Sequence, residues 1–119
     1  MFDFQKLEVY HKAMELNKDI ALLTRNGSFD RTTNDQLRRA SFSVLLNLAE
    51  GSSRFSNNDR RHFLVISRGS AFECVAILEF LMENLEIPKD VYLKFYAQIE
   101  EISKMLFALI KKMNWKFLS

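Results

Sequence analysis

Residues 57–85, NNDRRHFLVISRGSAFECVAILEFLMENL, decide how the rest of the chain is read. Leu64, Ser67, Ala71, Cys74, Leu78, Leu81 and Leu85 step by three and four, the spacing that lines one face of a helix with 3.6 residues per turn. Ser56 stands ahead of the run as a cap with Asp59 three residues on, so the spacing predicts a helix of roughly 40 Å over 57–85. The early members of the seam are small, which lets a neighbouring helix come close. Gly69 lies mid-helix, where Gly costs about 1 kcal/mol against Ala, and is expected to be there for such an approach.

Working outward, three more segments carry the same period and none shows the sustained alternation of a strand. The first, about 4–24, repeats through Val9, Ala13, Leu16, Ile20 and Leu23, with Asp3 as its expected cap, Phe2 and Leu7 as a hydrophobic staple, and a stop near Gly27. The second, about 34–52, opens on Thr33 and Gln36 in capping-box spacing and aligns Leu37, Ser41, Val44, Leu45 and Leu48. Gly51 is expected to end it, with a positive φ. The fourth begins at Pro88 and runs to about Met113 through Tyr92, Phe95, Ile99, Ile102, Leu106 and Leu109, followed by an aromatic tail of Trp115, Phe117 and Leu118. Four amphipathic helices on short connections imply an all-α, antiparallel up-down-up-down four-helix bundle, one domain over 1–119.

Composition narrows the function more by exclusion than by choice. The chain has 48% hydrophobic and 27% charged residues, with three Gly and one Pro, the make-up of a globular domain. The single Cys74 permits no internal disulfide, and no stretch approaches the ~20 apolar residues of a membrane span, so a cytoplasmic location is expected. The overall charge of +2 is modest, but it is unevenly placed: residues 31–68 hold seven of the eight arginines and a net +4, leaving −2 for the remainder.

Two faces are not explained by a bundle core. Val65, Phe72, Ala76 and Phe80 lie nearly opposite the seam of the third segment, and an apolar stripe of that length calls for a second partner, a candidate oligomer interface. Gln36, Arg39, Ser43, Asn47 and Glu50 form a polar stripe on the second segment. Asn and Ser are mediocre helix formers at mid-helix, which favours a hydrogen-bonded contact surface there.

Chemistry is sparse. Glu8-x-x-His11 and Asp59-x-x-His62 have the spacing of di-iron bundle motifs, but both pairs fall on the polar sides of their helices and cannot share a metal in the core. There is no Gly-rich phosphate loop, no HExxH, and no nucleophile and base in evident partnership, so the expectation is no enzyme, no metal and no cofactor. Arg54, Arg60 and Arg61 flank the start of the third helix, where free N–H groups and the helix dipole favour anions. Arg61 and Arg68 share a stripe, and together with Arg39 these are the candidate nucleic-acid-binding residues.

The stretch Gln36–Glu73, QLRRASFSVLLNLAEGSSRFSNNDRRHFLVISRGSAFE, resembles a bacterial four-helix bundle family named for proteins encoded in 23S rRNA intervening sequences, which includes the accessory variability protein of diversity-generating retroelements. The resemblance rests on Gln36, Arg38, Arg39 and Ala40; on Ser43, Asn47, Leu48, Ala49, Glu50 and Gly51; on Arg54, Ser56, Phe63 and Leu64; and on Gly69, Ser70 and Glu73. The opening FDFQKLEVYHKAMEL is similar to the family's first helix. Ser67-Arg68 departs from the small pair common before Gly-Ser, yet Ser67, Gly69 and Ser70 remain small.

The resemblance implies a homopentameric ring with a basic surface or pore, and relatives that bind nucleic acid and a reverse transcriptase. The expectation is therefore a ring-forming accessory protein that binds nucleic acid, RNA in particular. A reverse transcriptase or another protein is a further candidate partner, and the alternative is a protein-interaction scaffold with no nucleic-acid role, in which the polar stripe of the second segment and Arg/Glu pairs hold subunits or a partner. Five protomers at +2 would carry +10, and weak phosphate contacts become avid when they act together.

Overall fold

The computed structural model describes the backbone of residues 1–118 and the side chains of residues 1–113. A 3₁₀ turn, Asp3–Lys6, leads into α1 (Glu8–Asn26), α2 (Arg31–Ser52), α3 (Asn57–Glu83) and α4 (Lys89–Leu118). The helices run up, down, up and down around a bundle 49 × 24 × 22 Å, each packing on its neighbours in chain order, most extensively α2 on α3 and α3 on α4, while α1 closes more lightly on α4. No strand occurs among the described residues.

The seams expected from periodicity form the core. Val9, Ala13, Leu16 and Ile20 of α1 meet Leu37, Val44 and Leu48 of α2, Leu64, Ala71, Cys74, Leu78 and Leu81 of α3, and Ile99, Ile102 and Leu106 of α4, all buried. Side-chain bonds to backbone set how neighbouring helices align. Asn17 Nδ2 donates to the carbonyls of Ala13 and Ser41, both at 2.8 Å, joining α1 to α2, and Ser67 Oγ donates to the Val44 carbonyl at 2.7 Å, joining α3 to α2. Each bond satisfies a polar group that burial would otherwise penalise. The Cys74 thiol, buried among apolar side chains, is pushed up to about 12 by loss of solvation, so it serves as core.

The helix ends differ from the sequence reading in several places. The cap and staple expected at Asp3, Phe2 and Leu7 are not formed. Leu7 is extended, α1 starts after it, and Phe2 is 72% exposed. Helix α2 starts at Arg31, earlier than Thr33, because the Asp30 carboxylate accepts the Thr33 N–H at 3.3 Å. Ser56 does cap α3, its Oγ accepting the Asp59 N–H at 3.1 Å. Helix α3 stops at Glu83, where the Glu86 N–H reaches back to the Leu81 carbonyl at 2.8 Å. Leu85 takes φ 60° there and is 92% exposed, so it ends the seam outside the core. Pro88 precedes α4, its carbonyl accepting the Tyr92 N–H at 3.1 Å. Helix α4 continues beyond Met113 to Leu118, and the aromatic tail expected at Trp115, Phe117 and Leu118 lies outside the residues whose side chains are described.

The two glycines exchange roles. Gly51 has no positive φ and is buried inside the last turn of α2, where an added Cβ would lie 3.2 Å from Phe63 Cβ and 3.3 Å from the Arg60 carbonyl. It is Gly51 that permits the close approach of α2 to α3. Gly69 is exposed, and nothing lies within 4 Å of the Cβ it lacks, so no packing within the chain accounts for it.

Candidate nucleic-acid interface

The link between α2 and α3 gathers the expected arginines at one end of the bundle. Arg54 forms an ion pair with Glu50, and its guanidinium lies 4.6 Å from the centroid of the Phe63 ring. Arg60 Nε donates to the Arg54 carbonyl at 2.7 Å. The link is thus clamped by its own Arg54 and by Arg60 of α3. The ion pair is half exposed, so it steadies the turn by no more than about 1 kcal/mol.

Arg61 and Arg68 sit two turns apart on α3, and the Nε of each is shielded from solvent without a hydrogen-bond acceptor among the described residues. Arg68 leans toward α4, with its guanidinium 4.7 Å from the Phe72 centroid and 5.4 Å from that of Phe107. Arg39 stands apart on the exposed side of α2, in a shallow groove with Arg38, Asp35, Phe42 and Leu46. Of the five candidate arginines, Arg54 alone has a carboxylate partner among the described residues.

The polar stripe of α2 divides in two. Asn47 Nδ2 donates to the Ser43 carbonyl at 2.9 Å and to Ser43 Oγ at 3.0 Å, and Ser43 Oγ lies 2.6 Å from Ser70 Oγ of α3. These two residues therefore bond to the bundle itself. Gln36, Arg39 and Glu50 are exposed.

On α3, Val65, Phe72 and Phe80 are 44%, 54% and 55% exposed, and Ala76 is exposed with them. That is the outward apolar stripe the heptad-like spacing implies, and Gly69 lies within it. Sequence reasoning missed Phe107 and Lys111 of α4. Phe107 is 50% exposed, and the Lys111 ammonium lies 5.9 Å from its ring centroid. The signal for it was the run 104–113, KMLFALIKKM, which holds three lysines and no acid.

The histidine motifs separate as their faces imply. His11 Nε2 bonds the Gln5 carbonyl at 2.8 Å, Glu8 faces Lys12 at 3.9 Å, and His62 meets Phe63 edge-on at a ring distance of 5.3 Å. No three His, Cys, Asp or Glu side chains converge among the described residues, and no described helix is long and apolar enough to cross a membrane.

The family model described as 23S rRNA-intervening sequence protein matches residues 5–108. The chain belongs to that family. A crystal structure of a protein of unknown function from the S23 ribosomal protein family of Bacteroides thetaiotaomicron is similar to it throughout: TM-score 0.83, 26% identity, covering 87% of this chain and 98% of that one. No curated protein matches. For this intervening-sequence family member, the shared architecture is the four-helix bundle described above.

Proposed function

We propose that the chain is the subunit of a cytoplasmic homo-oligomeric ring, a pentamer, that binds RNA without catalysis through the arginines of α2 and α3. The observation that carries this reading is the want of ion pairs: Arg39, Arg60, Arg61 and Arg68 form none within 4.0 Å among the described residues, in a chain with nearly as many acids as bases. Cations left together in one region repel one another, and a polyanion relieves that repulsion. Arg54 and Arg60 shape the turn, so the phosphate contacts fall chiefly to Arg61, Arg68 and Arg39. The outward stripe of Val65, Ala76 and Phe80, with Gly69 among them and Phe72 at its edge, supports self-association. A mid-helix glycine with open space above it suits a second copy of the chain pressing close.

Substituting Arg61 and Arg68 together with Gln, then titrating a labelled RNA at several salt concentrations alongside light scattering, tests the reading. Affinity should fall, and the slope of log K against log salt should flatten by about 0.7 for each single-strand phosphate that is no longer neutralised. An assembled variant with unchanged affinity and slope would remove both arginines from the site. A wild-type protein that ignores RNA even at low salt while still assembling would favour a protein scaffold.

A further inference from the structure

Two acid-free stretches lie side by side on the α3–α4 face. Residues 61–72 and 104–113 together hold Arg61, Arg68, Lys104, Lys111 and Lys112 with no Asp or Glu. Lys104 has Glu100 at 3.7 Å, whereas the other four have no carboxylate partner among the described residues. Arg68 and Lys111 converge on the one Phe107 ring, at 5.4 and 5.9 Å, and Arg68 also covers Phe72. The ring quadrupoles attract both cations. The cations repel each other, however, and neither forms an ion pair among the described residues.

From this layering we infer that the α3–α4 face takes single-stranded RNA, its bases stacking on the Phe72–Arg68–Phe107 layer while its phosphates lie against Arg61 and Lys111. The inference rests on the RNA-binding reading above and adds the strand class and the mode of contact. Basic side chains alone would accept either a duplex or a single strand. Half-exposed aromatic rings with a guanidinium within reach of both suit bases whose faces are free, and a duplex hides those faces. Against a protein partner stands Lys111, since protein interfaces are depleted of Lys even though Arg and Phe are common in them. The adjoining apolar strip of α3, at Val65, Ala76 and Phe80, is the better surface for a second copy.

Phe107→Ala provides the test, since the ring is half exposed and its removal leaves Arg68 and Lys111 in place. Wild-type and variant protein are titrated with a fluorescein-labelled oligouridylate and with an RNA duplex of the same length, and stacking is read from quenching of a 2-aminopurine placed in a single strand. The variant should bind the single strand roughly fivefold to a hundredfold more weakly, the range for removing one base–aromatic stack, with diminished quenching. Duplex affinity, salt slope and assembled mass should stay as in the wild type, and Phe107→Tyr should restore single-strand binding. Equal weakening for both probes, no weakening for either, or a changed mass would each overturn the inference. A wild-type protein that binds duplex and single strand alike refutes the stacking mode and leaves the RNA-binding reading standing, whereas one that binds neither refutes both.

Discussion

Within the single subunit, Gly51 and Gly69 should respond to alanine with opposite signs. Removing a glycine from a helix interior gains about 1 kcal/mol of propensity, less near an end. At Gly69 that gain is unopposed within the chain, because nothing lies within 4 Å of the new Cβ. At Gly51 the new Cβ would press on Phe63 Cβ at 3.2 Å and the Arg60 carbonyl at 3.3 Å, both fixed close to the α3 backbone. Neither can swing aside as a side-chain tip would, so α2 and α3 must part by a few tenths of an ångström along a tightly packed seam. Overpacking of this kind costs about 1–3 kcal/mol, which leaves Gly51→Ala destabilised by roughly 1 kcal/mol after the propensity gain is set against it. Urea unfolding followed by far-UV circular dichroism, at fixed protein concentration, reads both changes as shifts in midpoint at constant m-value. Light scattering on Gly69→Ala then reports whether the proposed self-association through the apolar strip of α3 needs the bare glycine. Equal stabilisation of both variants would refute the close approach assigned to Gly51.

Two further outcomes follow from buried groups. The Cys74 thiol is raised in the fold, so its contribution to stability is complete below the unfolded-state value near 9 and is lost as pH rises toward about 12; at pH 10 the wild type should have lost about 1.4 kcal/mol through this group, a loss that Cys74→Ala abolishes in urea titrations at pH 8 and 10. Ser70→Ala removes the 2.6 Å hydrogen bond with Ser43 and should destabilise by about 1 kcal/mol, with Ser43→Ala adding little in the double variant, as a double-mutant cycle would measure.

What could be read in advance was whatever depends on period. The seam from Leu64 to Leu81 followed from a rule that holds along any regular helix, and the exposure of Val65, Ala76 and Phe80 followed from the same rule. Ends obey local chemistry that several residues can satisfy. Asp30 with Thr33 and Thr33 with Gln36 are both capping spacings, and the earlier pair forms the cap. Leu85 was legible as one more step of the seam because nothing in its side chain announces a left-handed backbone. The arginines were visible as a group, yet which of them clamp the turn depends on a carbonyl at Arg54 and a carboxylate at Glu50. Phe107 escaped notice because its nearness to Arg68 is set by how α4 lies along α3, a relation between helices that no single helix encodes.

The small residues between α2 and α3 also bear on how such chains drift apart over evolutionary time. At Gly51 an added Cβ would press on α3, and Ser67 and Ser70 are buried and hydrogen-bonded to α2, so substitutions there carry a cost that a compensating change across the contact must offset. Where α1 closes on α4, a surface pair such as Lys12 with Glu101, 2.7 Å apart, can be exchanged or lost at little cost. Descendants of one ancestor should therefore keep the central hairpin nearly letter for letter while their outer helices change freely, and a search probe built from α2 and α3 alone should reach more distant kin than one built from the whole chain.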